Sequence, residues 1–257
     1  FLFTGLSFGL VISLNRIVTT SGVPFIPYVF WQALCGGGIL LAILCLLRKP
    51  PRVTLLHLRA YLIIGGLGIS GPYLLITLIS SRLPAGIVAL ELALVPMSTY
   101  AIAMIARLDR FCVLRSLGIL FGLAAVLLII LPETSLPEPD MIVWVLVGVP
   151  APVLFASSIV ACEMFPPPKS GSMEMACGLM LAAAILLLPV MAVTDEWWAF
   201  GSPFELADGL VLAVGAIVAT IWCFAFEIVR RAGAVFYSTV LYLETLAGIG
   251  WGLIVFG

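Results

Sequence analysis

The chain has 257 residues, 63% of them hydrophobic and only 10% charged, with 12 basic residues against 13 acidic ones. Ordinary soluble domains carry about 25% charged residues, so a soluble globular domain is excluded, and a net charge near zero leaves no basic face for a nucleic-acid backbone. The six cysteines (Cys35, Cys45, Cys112, Cys162, Cys177 and Cys223) show no C-x-x-C spacing and read as small apolar residues, while the single histidine, His57, read as part of a basic loop, excludes a multi-histidine metal centre.

A helical span needs about 20 mostly apolar residues, and nine runs of that kind follow one another along the chain. Leu2–Thr19 carries Ser13, Asn15 and Arg16 towards its far end. Pro27–Leu47 holds Trp31, Gln32 and the triplet Gly36-Gly37-Gly38. The third run, Ala60–Ser80, is interrupted by Gly65, Gly66, Gly68 and Gly71-Pro72 and continues with Tyr73. Ala85–Ala106 contains Glu91, Pro96 and Tyr100, and Leu114–Leu131 is almost wholly apolar. Met141–Cys162 has Pro150-Ala151-Pro152 in its interior. Met173–Val193 and Leu206–Val229 come next, the latter with Trp222, and Ala234–Phe256 carries Tyr237, Tyr242 and Glu244. Strands of a membrane barrel are short and alternating, which these runs are not, so an all-α integral membrane protein is the expected fold class.

Basic residues orient the spans. Arg48, Lys49, Arg52 and Arg59 follow span two, Arg107, Arg110 and Arg115 follow span four, Lys169 follows span six, and Arg230 and Arg231 follow span eight. The opposite loops have Arg82 but collect Glu133, Glu138 and Asp140 after span five and Asp195, Glu196, Glu205 and Asp208 after span seven. Even-numbered loops and the N-terminus are therefore expected on the cytoplasmic side.

At a shift of about 149 residues Gly66 meets Gly215, Tyr73 meets Trp222, Arg82 meets Arg231 and Ala85 meets Ala234. The four basic residues after span two correspond to four acids after span seven. A five-span unit duplicated in tandem explains that inversion, because an odd number of spans inserts the second copy upside down. The expectation is a ten-helix inverted-repeat (5+5) transporter fold with nine spans in this chain. Residues 1–131 form the first repeat and 141–257 the second, with a tenth helix following Gly257.

Leu83-Pro-Ala-Gly-Ile-Val-Ala-Leu90, Leu94-Val-Pro96, Arg107-Leu-Asp-Arg110 and the glycine-containing run Gly118 to Gly122 follow in an order that resembles the drug/metabolite transporter superfamily, in its EamA-like ten-helix branch. Arg231-Ala-Gly-Ala234 through Leu241-Tyr-Leu-Glu244 to Trp251-Gly252 is similar to the branch's second copy. Asp109 stands where the family often has Glu. The resemblance covers nearly the whole chain and is greatest to bacterial exporters of aromatic amino acids. It implies a multi-pass protein of the bacterial inner membrane, with the bilayer and a small-molecule substrate as partners and no enzyme activity, cofactor or metal.

Charges inside a membrane are costly and are retained with a use or a partner. Glu91 and Glu244 are the two acids most clearly within spans, and their offset in the repeat is about one helical turn, so both are expected to face the bundle centre. Either acid meets a substrate ammonium or a proton, or it hydrogen-bonds a neighbouring helix. Glu163 and Glu227 are expected to reach water at helix ends. The candidate cavity residues are Glu91, Glu244, Asn15, Gln32, Tyr73, Trp222, Tyr100, Tyr242 and Trp31, and Trp144, Trp197 and Trp198 are expected as interfacial belt residues. Pro96, Pro152, Gly71 and Pro72 are the candidate hinges, since proline and glycine interrupt helix bonding. With no lysine in any span, carriers of phosphate or sugar nucleotides are disfavoured. The expected function is export of neutral, aromatic or hydrophobic amino acids by alternating access, with protons as a candidate co-substrate. The alternatives are an exporter of organic cations such as planar dications and, from other classes, a lipid-modifying membrane enzyme or a channel.

Overall fold

The computed structural model describes residues 1–80, 82–83, 85–130, 142–165, 167, 170–201 and 205–256. The acidic loop with Glu133, Glu138 and Asp140, and Lys169, lie outside the described residues, as does the side chain of Arg16. Every regular element among the described residues is helical.

The helices fall into nine groups in chain order. They are α1 (Leu2–Thr20), α2 (Phe25–Leu46), α3 (Leu55–Gly65) joined to α4 (Gly71–Ser80), α5 (Ala85–Leu92) joined to α6 (Val95–Ile105), α7 (Val113–Ile130), α8 (Ile142–Gly148) joined to α9 (Pro150–Met164), α10 (Ser172–Thr194), α11 (Leu206–Ala232), and α12 (Ala234–Ser238) joined to α13 (Val240–Phe256). Six helical segments among the described residues are long and apolar enough to cross a membrane, the first being Phe25–Leu46 and the last Ala234–Val255. Helix is the economical solution for such runs because it satisfies every backbone amide within the segment.

Two ends differ from the hydropathy reading by three residues or more. The third group starts at Leu55 rather than Ala60, so His57 sits in the first turn of α3 and not in a loop. It is 3% exposed, and its Nδ1 lies 2.6 Å from Thr54 Oγ1. The eighth runs on to Ala232 through Arg230 and Arg231, whose guanidinium groups reach back to Glu227 at 2.6 and 2.5 Å. Charge stops a hydropathy window, but a backbone hydrogen bond continues past it. Arg48, Arg107 and Asp195 adopt left-handed φ of 55°, 59° and 53° beyond the ends of α2, α6 and α10.

Packing is dense between helices distant in sequence. α2 lies between α10 and α11, α1 packs on α13 and α11, α3 packs on α10, and α9 packs on α6 and α4. Glycines set the closest approaches. A Cβ on Gly65 would sit 2.5 Å from the Leu179 carbonyl oxygen and 3.2 Å from the Ala183 nitrogen. A Cβ on Gly215 would sit 3.1 Å from the Gln32 carbonyl oxygen and 3.2 Å from the Gly36 nitrogen. Both glycines let two helix backbones touch, the usual device where small residues replace a hydrophobic driving force between helices. Tyr28, Ile64, Leu179, Met180, Leu187 and Ile221 are fully buried, whereas Leu46, Ile105, Leu114, Phe121, Val193 and Ile254 lie exposed on the outside. An apolar exterior of that kind suits lipid.

Candidate functional site

The four joined groups are joined at their breaks for identifiable reasons. Between α3 and α4, Gly66–Ser70 winds as a π-helical turn, closed by the Gly71 N–H on the Gly66 carbonyl. Pro72 follows at once; it has no N–H and its ring would strike the carbonyl four residues back in a regular α-helix. Between α5 and α6 the chain turns at Ala93–Leu94, with Pro96 in the first turn of α6, where a missing N–H costs nothing. The sixth group breaks at Val149, and Pro150 rather than Pro152 opens α9. Pro152 is buried inside the first turn and starts nothing. The ninth group breaks at Thr239 without glycine or proline, its N–H turning back 3.3 Å onto the Phe236 carbonyl.

These interrupted helices surround a cavity of about 530 Å³. Phe8, Val11, Ile12 and Asn15 reach it from α1 at the 3, 4 and 7 spacing of one helix face. Phe25 comes from α2, Tyr73 and Ile76 from α4, Val88 and Leu92 from α5, and Phe155, Ser158 and Ile159 from α9. Trp222 of α11, Tyr237 of α12, and Leu241, Glu244, Thr245 and Gly248 of α13 complete the wall. The Tyr73 ring stands 6.1 Å from Phe25 and 5.9 Å from Phe155, centroid to centroid. A smaller hollow of about 30 Å³ shares Phe8, Tyr73, Phe155 and Trp222 and adds Gln32 and Gly68. Gly68 is needed there: a Cβ would lie 3.0 Å from the Trp222 indole and 2.9 Å from Ser158 Oγ.

Polar groups on the wall are few. The Tyr28 hydroxyl donates to Asn15 Oδ1. Ser158 Oγ donates to the Phe155 carbonyl at 2.8 Å, and Thr245 Oγ1 to the Leu241 carbonyl at 3.0 Å. Glu244 is the single carboxylate among the described lining residues, and no lysine or arginine lies among them.

Of the residues expected at the cavity, Asn15, Tyr73, Trp222 and Glu244 line it and Gln32 lines the adjoining hollow. Glu91, Tyr100, Tyr242 and Trp31 do not. Glu91 ends the short helix α5, before the break in its span, whereas Glu244 follows the break in its own span inside α13. The one-turn offset assumes continuous helices and does not carry across two breaks. Glu91 is 5% exposed and faces Gly148 at the end of α8. The Tyr100 hydroxyl accepts the Cys112 N–H at 2.7 Å and donates to the Arg110 carbonyl at 3.3 Å, which fixes the turn after α6. Tyr242 donates to the Ile119 carbonyl at 3.1 Å and covers Gly122, tying α13 to α7. Trp31 donates to the Trp198 carbonyl at 2.8 Å and its ring lies tilted 4.7 Å from that of Phe200, so it holds the 195–201 segment against α2. Glu163 and Glu227 are half-buried at helix ends, as expected, and are also engaged there: Glu163 accepts the Ala234 N–H at 2.6 Å, and Glu227 accepts Ser172 Oγ–H at 3.0 Å besides its arginines.

Sequence reasoning missed Phe8, Phe25, Phe155, Ser158, Tyr237 and Thr245 as lining residues. The helical spacing of Phe8 with Asn15 inside one continuous helix was the available signal. Among the described residues no group of three or more His, Cys, Asp or Glu could hold a metal ion. A cavity walled by rings, with one acid and a few hydroxyls, can stack a flat organic solute and orient a donor or cationic group on it.

The chain is thus a multi-pass, all-helical membrane protein with an internal cavity. No protein-family model and no curated protein matches it. A solved structure described only as a crystal structure of a protein superposes with a TM-score of 0.80 at 18% sequence identity, over 99% of this chain and 88% of that one. At that identity the likeness is one of fold.

Proposed function

We propose that this protein is a secondary transporter of the drug/metabolite type, built from two inverted five-span repeats, that exports small organic solutes, foremost aromatic and hydrophobic amino acids, from the bacterial cytoplasm. The observation that carries the reading is the ring-walled cavity of about 530 Å³ to which helices of both halves contribute.

The repeat is supported by contacts that return when each span is exchanged for the one five places on. Span one on nine corresponds to six on four, two on eight to seven on three, and one on eight to six on three; all are in contact. Gly215 against Gln32 and Gly36 has its counterpart in Gly65 against Leu179 and Ala183, on the same pair of backbone atom types and one residue before the Gly66 that the sequence shift pairs with Gly215. Arg48 and Asp195 end α2 and α10 in the same left-handed conformation with opposite charge. A negative residue at a helix C-terminus works against the helix dipole, although Asp is also among the residues that tolerate the left-handed conformation found here.

Alternating access follows from bundles rocking at the breaks near Pro96, Pro150 and Gly71-Pro72, which open the cavity to one side at a time. The test is efflux of radiolabelled phenylalanine from vesicles containing the purified protein. Protein-dependent, saturable flux is expected, and absence of flux for every aromatic solute tried overturns the assignment.

One observation favours a second reading. Glu244 faces rings with no basic residue among the described lining, so an organic cation finds a partner where an amino-acid carboxylate finds none. Flux of a planar dication that is lost in Glu244→Gln, with no flux of phenylalanine, selects that reading.

A further inference from the structure

We propose that Glu91 is a proton-carrying site separate from the solute cavity, holding a proton while α5 is closed on the α8–α9 junction and giving it to water when that junction opens. The inference rests on the transporter reading for its second half only.

The carboxyl is 5% exposed, and neither oxygen has a hydrogen-bond partner among the described residues. A Cβ on Gly148 would lie 2.6 Å from its Cδ, so the acid is pressed against the end of α8. Around this contact is an apolar group distinct from the main core: Ile79, Leu83, Ile87 and Val88, with Trp144 and Val145 packed on them, and through Val88 it borders the solute cavity, whose lining does not include Glu91. The nearby N-terminus of α9 is a poor anion site, because Pro150 and Pro152 supply no N–H there.

No described charge compensates it. α5 packs against α4, α7, α8 and α9. Beyond α4, Arg82 lies over the Trp144 ring at 5.1 Å. On α7 Arg115 is paired with Asp109, and on α9 Glu163 sits at the far end, on the Ala234 N–H. On α4 Tyr73 lines the cavity, which Glu91 does not. An ionised carboxylate in this place would be a buried, unpaired charge, far costlier than the neutral acid with its O–H and C=O left without partners.

Packing alone does not require an acid. At the contact between α1 and α13 a Cβ on Gly5 would meet Leu243, at 3.0 Å from its Cβ. There a leucine closes on a glycine, as Glu91 closes on Gly148. An apolar side chain does that work, so the carboxyl at position 91 is left with a chemical use. Its position between two helix breaks, Ala93–Leu94 and Val149, places it where relative motion of the spans would first admit water.

Infrared difference spectroscopy on the full chain in lipid nanodiscs at neutral pH reads the proton directly. A carboxylic-acid C=O band present in the wild type and lost in both Glu91→Gln and Glu91→Leu supports the site. A spectrum unchanged by both replacements, or a Glu91 carboxylate band at neutral pH, overturns it. Leucine is included because Leu243 makes the corresponding contact.

Coupling is read in vesicles as solute accumulation under an imposed gradient of one pH unit, about tenfold for one-for-one exchange. Accumulation in the wild type, lost in Glu91→Gln while exchange of labelled solute at equal concentrations persists, supports coupling. Accumulation unchanged in Glu91→Gln, or absent in the wild type despite exchange, overturns it. A wild type with no flux of any solute refutes the transporter reading and coupling with it, and the infrared band still decides the proton site.

Discussion

Gly36, Gly37 and Gly38 are adjacent in α2 but meet different surroundings, so alanine at each gives a graded test of the packing. A Cβ at position 36 would lie 2.5 Å from the Gly215 carbonyl oxygen, besides striking the end of Met180. Methionine can swing aside, whereas a backbone carbonyl cannot. A relaxed carbon–oxygen contact is about 3.3 Å, so α2 and α11 would have to part by about 0.8 Å. Overpacking of that size costs about 1–3 kcal/mol, or about 2–6 °C in unfolding midpoint for a chain of this length. At position 37 the Cβ meets Leu181 Cδ2 at 2.8 Å, a side chain able to yield, and a smaller loss is expected. At position 38 nothing lies within 4 Å, and alanine's better helix propensity leaves stability unchanged or raised by up to about 1 kcal/mol. Thermal unfolding of the three variants in one detergent, followed by intrinsic fluorescence, reads the order directly. If Gly36→Ala melts with the wild type or above Gly38→Ala, the close approach of α2 to α11 is refuted.

Three further outcomes are expected. Glu244→Gln weakens binding of an amine-bearing aromatic solute about tenfold, about 1.4 kcal/mol, with the unfolding midpoint held; titration of tryptophan fluorescence measures the affinity. Gly68→Ala pushes the Trp222 indole from its seat against the π-helical turn and lowers solute affinity without abolishing folding, which a binding titration beside a melting curve separates. Trp31→Phe and Tyr242→Phe each remove one hydrogen bond, to the Trp198 and Ile119 carbonyls, costing about 1 kcal/mol of stability while solute affinity stays unchanged.

The order and most ends of the helical runs were legible in the chain because membrane helices are written locally: about 20 apolar residues in succession need no distant partner to be recognised. Phe25–Leu46 and Ser172–Thr194 fall within two residues of the runs expected there. Local chemistry also announced the breaks at Gly71-Pro72 and Pro96, since a missing N–H acts on its own turn. In the sixth span the break falls at Val149, beside Pro150-Ala151-Pro152, with Pro150 the first residue of the following helix, and nothing local gave a sign of the break at Thr239.

What a side chain faces was decided elsewhere. Glu91 and Glu244 look alike in sequence, each an acid in an apolar run, yet one is pressed on Gly148 and the other lines the cavity. Tyr73 and Tyr242 differ in the same way: one joins a wall of rings, and the other spends its hydroxyl on a carbonyl of α7. In a chain that is apolar on nearly every face, hydrophobic periodicity does not mark which side of a helix meets lipid, protein or a hollow. Composition and local turn chemistry determined the spans and their interruptions, and the rotation of each helix, set by glycine contacts such as Gly36 on Gly215, decided which residues share the cavity.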